Sequence, residues 1–89
     1  MFRFAFLVMS ADHDPEVNRM QMQTDGCKTV VIGVRDLDQA CLVAKELVDA
    51  GEVDRIELCG AFHEEGAWTV ADALGDPSKV GYIAELPEV

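Results

Sequence analysis

The sequence predicts an α/β protein with a four-stranded, mostly parallel sheet and two main helices, in the order β-β-α-β-α-β. Apolar runs with the character of strands alternate with segments of helical periodicity over the later part of the chain, and a glycine follows each helical segment. This alternation predicts parallel pairing for at least the last three strands. With 89 residues, 49% of them hydrophobic, the chain suits a single domain over residues 1–89.

The first predicted strand covers residues 2–9, where successive side chains alternate between two faces. One face carries Phe2, Phe4, Phe6 and Val8, and the other carries Arg3, Ala5, Leu7 and Met9. Because both faces are mostly apolar, we expect burial on both sides. The run loosely resembles a secretion signal, but its uninterrupted apolar part is shorter than the ~7–15 residues that such signals use. We therefore interpret it as a strand.

The next segment, residues 10–26, is polar. Asp14 precedes Pro15, and this pair suits the N-cap and first position of a short helix within residues 14–24. An irregular loop is the alternative. Long connections without structure of their own are uncommon and often functional.

Residues 28–34, "KTVVIGV", form the second predicted strand, with a continuous apolar run typical of strands inside parallel sheets. Asp36 and Gln39 then match a capping box at the start of a helix. Gly51 stands where a glycine commonly ends one. The apolar stripe of this helix consists of Leu37, Ala40, Cys41, Ala44, Leu47 and Val48.

The third predicted strand lies in residues 53–62, "VDRIELCGAF", and the second helix covers residues 64–74 and ends at Gly75. The fourth strand, in residues 79–86, stops at Pro87. If the strands add in one direction, right-handed crossovers put both helices on one face of the sheet. We then expect a homo-oligomer, preferably a dimer, to bury the other face. A reversing strand order is the alternative, with one helix on each face and a possible monomer.

Composition narrows the classes of partner. A net charge of -10 and a pI near 4.3 disfavour nucleic acid and anionic membrane surfaces, since binding to either depends on Lys and Arg. No run approaches the ~20 apolar residues of a membrane span. The three cysteines are odd in number and form no CxxC motif, which predicts reduced thiols and a cytoplasmic location.

Ligands of open α/β sheets bind beyond the carboxyl ends of the strands. The residues that follow the predicted strands there make Gly60, Phe62, His63 and Arg35 candidates for ligand binding. A divalent transition metal would suit the acidic surroundings, because Cys and His side chains are ligands of zinc and similar ions. The candidate metal ligands are Cys59, His63 and His13. Ordinary structural roles for these side chains are the alternative.

Glu57 is the candidate catalytic residue. Together with Cys59 it is expected to point to the uncovered face of the sheet, where Arg3 could meet it in a buried ion pair. In a desolvated setting its pKa would rise, as a general base requires. A second possibility is that Cys59 acts as a nucleophile, activated by His63 and a helix N-terminus.

Several motifs carry a resemblance to known families. An N-terminal strand, an acidic Asp-Pro loop, "TVVIGVRD" leading into an amphipathic helix, and "IELCG" before a second helix follow one another. With this pattern nearly the whole chain resembles a family of small prokaryotic proteins of unknown function, which implies the fold and no activity. Locally, "DRIELC" is similar to an early strand of the copper-homeostasis (β/α)8 barrel family. A barrel of about 250 residues is far longer than this chain, so no copper chemistry is implied.

From the sequence we expect an oligomeric small-ligand or cation-binding module with its site at the carboxyl ends of the strands. A minimal enzyme that uses Glu57 as general base in a shared interface is one alternative. A structural or protein-interaction domain without a small-molecule site is another.

Overall fold

The computed structural model describes residues 1–87, which form two α-helices and one five-stranded sheet. Residues 88 and 89 of the predicted domain lie outside the described residues. The elements are β1 (Phe2–Met9), β2 (Arg19–Gln23), β3 (Cys27–Val34), α1 (Leu37–Asp49), β4 (Arg55–Leu58), α2 (His63–Leu74) and β5 (Val80–Tyr82). Single turns of 3-10 helix cover Gly60–Phe62 and Pro77–Lys79. The α/β class is confirmed, whereas the prediction of four strands is wrong by one.

The strands lie in the order β2-β3-β1-β4-β5. The first strand in the chain is thus at the centre of the sheet, parallel to β3 on one side and to β4 on the other. Strand β5 extends the sheet in parallel beyond β4, and β2 lies antiparallel to β3 at the opposite edge. The sheet is therefore mostly parallel, as predicted, with one antiparallel edge strand.

The additional strand, β2, takes up most of the segment in which a short helix was considered. Instead of a helix, Asp14 begins a single turn, in which its carbonyl oxygen accepts from the amides of Val17 and Asn18. The chain then enters "RMQMQ", whose residues alternate between two faces and are all exposed. Its connection to β3 is the short turn Thr24-Asp25-Gly26, closed by a 2.8 Å bond from the Thr24 amide to the Cys27 carbonyl.

Helix α1 begins and ends with the predicted caps. The Asp36 carboxylate accepts from the amide of Gln39 at 2.8 Å, and the Gln39 side chain reaches back to the Arg35 amide at 2.7 Å. At the other end Gly51 adopts φ 72°, a conformation that glycine takes without steric cost, and its amide bonds the Val48 carbonyl. Both caps follow from local sequence.

Both helices cover the same face of the sheet and pack against each other. The two crossovers, from β3 to β4 and from β4 to β5, run in the same direction along the sheet, which favours this one-sided arrangement. The core between the helices and the covered face includes Ala5, Leu7, Val30, Ile32, Val34, Ala40, Ala44, Leu47, Ile56, Leu58, Ala67 and Val70. Neither helix is long and apolar enough to cross a membrane in the part of the chain that the structure describes.

Among the described residues, no helix packs on the opposite side of the sheet, which is called the open face below. Strand alternation and the pairing registers assign to it Phe2, Phe4, Phe6, Val8, Met20, Met22, Cys27, Thr29, Val31, Gly33, Arg55, Glu57 and Gly81. Phe2, Met20 and Met22 are more than half exposed, and the rings of Phe2 and Phe4 stack with centroids 5.2 Å apart. The open face is therefore an apolar surface.

Candidate functional site

The residues predicted to bind a ligand after β4 have separate roles. Gly60 begins the 3-10 turn, and the side chain of Phe62 is only 4% exposed because it packs in the core near Gly66. Arg35, after β3, is exposed at the start of α1. The structure therefore does not gather these side chains around one cavity; Gly60 and His63 share an open groove with the chain that follows β5.

His63 joins the 3-10 turn to α2 in an uncommon backbone conformation. Its φ of 56° and ψ of -177° fall where residues with a Cβ are rarely found, at a cost of about 1–3 kcal/mol in typical cases. The side chain is exposed. A strained backbone of this kind does not by itself identify a ligand-binding residue.

The predicted metal ligands are not brought together. Cys59 is a half-buried free thiol whose Sγ accepts from the Met9 amide at 3.4 Å. His13 lies over β3 and bonds the Val8 carbonyl. Within residues 1–87, no three His, Cys, Asp or Glu side chains are close enough to hold a metal ion, so Cys59, His63 and His13 form no such group.

Glu57 points to the open face, as predicted, but its partner is not Arg3. The register pairs Phe4 with Arg55, so Arg55 and Glu57 share the open face and form an ion pair. Arg3 lies on the covered side and bonds both carboxylate oxygens of Asp54. The prediction of an ion pair between Arg3 and Glu57 is therefore wrong. Glu57 is not desolvated either, because its side chain is 31% exposed.

A groove on the open face is lined by one of the predicted site residues, His13. Its volume is about 400 Å³, and it lies where residues 10–18 fold over the ends of β1 and β3. The lining residues are Val8, His13, Val17, Asn18, Arg19, Met20, Val31 and Gly33. The groove is thus mostly apolar, and its polar lining residues are His13, Asn18 and Arg19.

The position of His13 depends on Gly33. A Cβ at Gly33 would lie 2.7 Å from the imidazole ring, so only glycine leaves enough space for the ring to pack against the strand. Its Nδ1 is 2.9 Å from the Val8 carbonyl oxygen. Because a carbonyl oxygen can only accept, Nδ1 carries the proton, and Nε2 of the neutral ring is left as an acceptor.

The loop that carries His13 is fixed by its own hydrogen bonds. The Ser10 hydroxyl donates to Asp12 at 2.6 Å, and this bond holds the pKa of the Asp12 carboxyl below its ordinary value. The His13 amide bonds the Ser10 carbonyl at 3.0 Å. Further along, the Gly33 amide donates to the Asn18 carbonyl at 2.7 Å. The groove is therefore preformed within a single chain.

Sequence reasoning identified His13 but not the residues around it. The signal that could have found them is the glycine inside "VVIGV", since a glycine in a strand interior often marks a close approach by another group. The regular alternation in "RMQMQ" is the second such signal, because it places Met20 beside the same strand.

Comparison with known proteins gives a family and no activity. A model described as a family of unknown function, DUF6506, matches residues 2–89. No curated protein and no solved structure matches the chain.

Proposed function

The chain belongs to DUF6506, a family of unknown function, and we propose that it is a homo-oligomeric small-ligand-binding module. In this proposal a second copy covers the open face, and the groove beside His13 holds the ligand. The observation that carries the proposal is an apolar sheet face with a groove at its edge that is lined by His13, whose Nδ1 is held by the Val8 carbonyl.

The size of the open face supports a second copy as its cover. The five strands have 8, 5, 8, 4 and 3 residues, and at about 3.3 Å per residue and 4.8 Å between strands they cover on the order of 450 Å² in projection, before the surface of the side chains is counted. Specific interfaces between proteins bury at least about 500 Å² on each partner. An apolar patch of this size is comparable to the largest patch of a typical monomer, about 300–600 Å², and such patches are often functional.

The charge of the open face also supports a second copy. Its charged strand residues are Arg55 and Glu57, which neutralise each other, while the whole chain carries a net charge of -10. An identical face can therefore approach it without burying an unpaired charge. A two-fold interface requires such a self-complementary surface.

The chemistry of the groove favours a small, mostly apolar ligand with one hydrogen-bond donor. The apolar walls would bury the body of the molecule, and the Nε2 of His13 would accept from its hydroxyl or amide group. The groove opens onto the open face, so a second copy would close it and exclude water. A cation would need further ligands from that second copy.

Self-association is tested by a charge substitution on the open face. We expect the parent to sediment as a dimer and Met20→Glu to sediment as a monomer, because the new carboxylate would be buried without a partner. Leu42→Glu is the matched control, since Leu42 is 64% exposed on α1 and Met20 is 67% exposed. A monomeric parent at all concentrations would contradict the proposal, as would dissociation caused only by Leu42→Glu.

Ligand binding is tested by thermal shift on untagged, metal-stripped protein. The panel contains small phenols, alcohols and amides together with zinc, nickel, copper, magnesium, phosphate and nucleotides. A ligand that binds only the native state stabilises it by RT ln(1 + [L]/Kd), so the unfolding midpoint keeps rising as the ligand concentration is raised. We expect His13→Ala to abolish the response and His63→Ala, the chain's other histidine, to retain it. A response that is lost only in His63→Ala would contradict the site.

A further inference from the structure

We propose that a second groove, between α2 and β5, binds a small organic cation such as a quaternary ammonium compound. The groove has a volume of about 200 Å³. The aromatic side chains of Trp68 and Tyr82 line it, and so does the carboxylate-bearing Glu64. It shares no lining residue with the groove beside His13 and is a separate site.

The aromatic side chains are the first reason for this assignment. Trp68 is the chain's one tryptophan and Tyr82 its one tyrosine, yet neither belongs to the core. They are 54% and 41% exposed, respectively, and both border the same cavity. An aromatic face attracts a cation through its quadrupole, and desolvation in a cavity strengthens this attraction.

The small residues of α2 are the second reason. Ala67 and Ala71 lie one helical turn apart and are buried at the inner wall of the groove. Larger side chains there would fill the space between Trp68 and β5. The remaining volume of about 200 Å³ is sufficient for a small alkylammonium group.

Charge is the third reason. Glu64 precedes Trp68 by one turn, and its Oε1 lies 3.5 Å from Trp68 Nε1, so the carboxylate lies at the edge of the indole ring. Within residues 1–87, no lysine, arginine or histidine lines the groove. A net charge of -10 adds a long-range attraction for cations. An anion has no positively charged partner among these lining residues, and a neutral apolar molecule would leave the carboxylate without a counter-charge.

The fluorescence of Trp68 provides the test, because no other tryptophan contributes to the signal. The full chain is titrated with choline and tetramethylammonium and, separately, with 3,3-dimethylbutan-1-ol, which has the shape of choline without its charge. We expect a saturable change with the two cations and roughly tenfold weaker binding of the alcohol. Equal affinity for choline and the alcohol would overturn the proposal, and so would a linear, non-saturating response to the cations.

Variants then connect the signal to the groove. Glu64→Gln is expected to weaken choline binding roughly tenfold. The matched control is Glu65→Gln, which removes the same charge from the same helical turn but does not line the groove. Tyr82→Leu should also weaken binding, as measured by calorimetry. All three positions are exposed, so circular dichroism should report an unchanged fold. If Glu64→Gln and Glu65→Gln weakened choline binding equally, the effect would come from the net charge alone, and the proposed site would be overturned.

Discussion

The two faces of the sheet are built from the same strands but differ in how they are buried. On the covered face, Leu7, Ile32 and Ile56 have no solvent exposure, whereas on the open face Met20 and Met22 are about two thirds exposed. The difference arises because both crossover helices lie on one side. The two helices bury one face of the sheet and form one core with it. The described residues form no second core that would account for the apolar side chains of the open face.

The largest expected effect compares neighbouring residues of β1 that point to opposite faces. Leu7→Ala should lower the free energy of unfolding by about 2–5 kcal/mol, because it leaves a cavity in the closed core. Phe6→Ala should cost less at low protein concentration, since its surroundings are open on one side. Urea unfolding at several protein concentrations measures both. Equal, concentration-independent losses would break the contrast between the faces.

A smaller effect is expected from the glycine under His13. Gly33→Ala should lower the free energy of unfolding by about 1–3 kcal/mol, because the new methyl group displaces the imidazole from the strand. The NMR resonances of His13 should shift as its bond to Val8 breaks. Gly26→Ala is the control, since nothing lies within 4 Å of a Cβ there. A stable Gly33→Ala protein with unchanged His13 resonances would refute the role given to Gly33.

The ion pair between Arg55 and Glu57 on the open face should affect self-association more than folding. Glu57→Gln should change the unfolding free energy of the monomer by less than about 1 kcal/mol, because both side chains are about one third exposed. It should weaken self-association more strongly, since an interface would bury Arg55 without its partner. Sedimentation equilibrium measures the second effect. An unchanged dimer constant would place this pair outside any interface.

The smallest effect concerns the ion pair on the covered side. The hydrogen bond from Arg3 lowers the pKa of the Asp54 carboxyl below its ordinary value of 3.8. The pair therefore stabilises the protein fully above pH 3.8, and this contribution is lost as the pH falls through the lowered pKa. Asp54→Asn should remove this part of the acid dependence. Thermal midpoints of parent and variant on both sides of pH 3.8 provide the check, and parallel curves would contradict it.

Local features of the fold were predictable and non-local ones were not. The caps at Asp36 and Gly51 depend on residues within one turn of each helix end, and the sequence displays them directly. Strand β2 alternates regularly, but all its residues are exposed, so no contrast in burial reinforced the pattern. Its identity as a strand comes from hydrogen bonds to β3 that the short turn Thr24-Asp25-Gly26 makes possible.

The candidate site also has local features that were predictable and non-local features that were not. His13 stood out by residue type, while its contact with Gly33 joins parts of the chain that only the folded loop brings together. The predicted pairing of Arg3 with Glu57 failed because a register decides which residues share a face, and a shift by one position exchanges the faces.

The central position of β1 also affects how the protein is made. This strand is synthesised before both its neighbours, β3 and β4, and β4 follows only after α1. Until residues 55–58 have emerged, one edge of a strongly apolar strand lacks its partner and can pair with another chain. Nascent chains stalled before β4 should therefore be strong clients of chaperones, whereas chains that extend through β5 should be released.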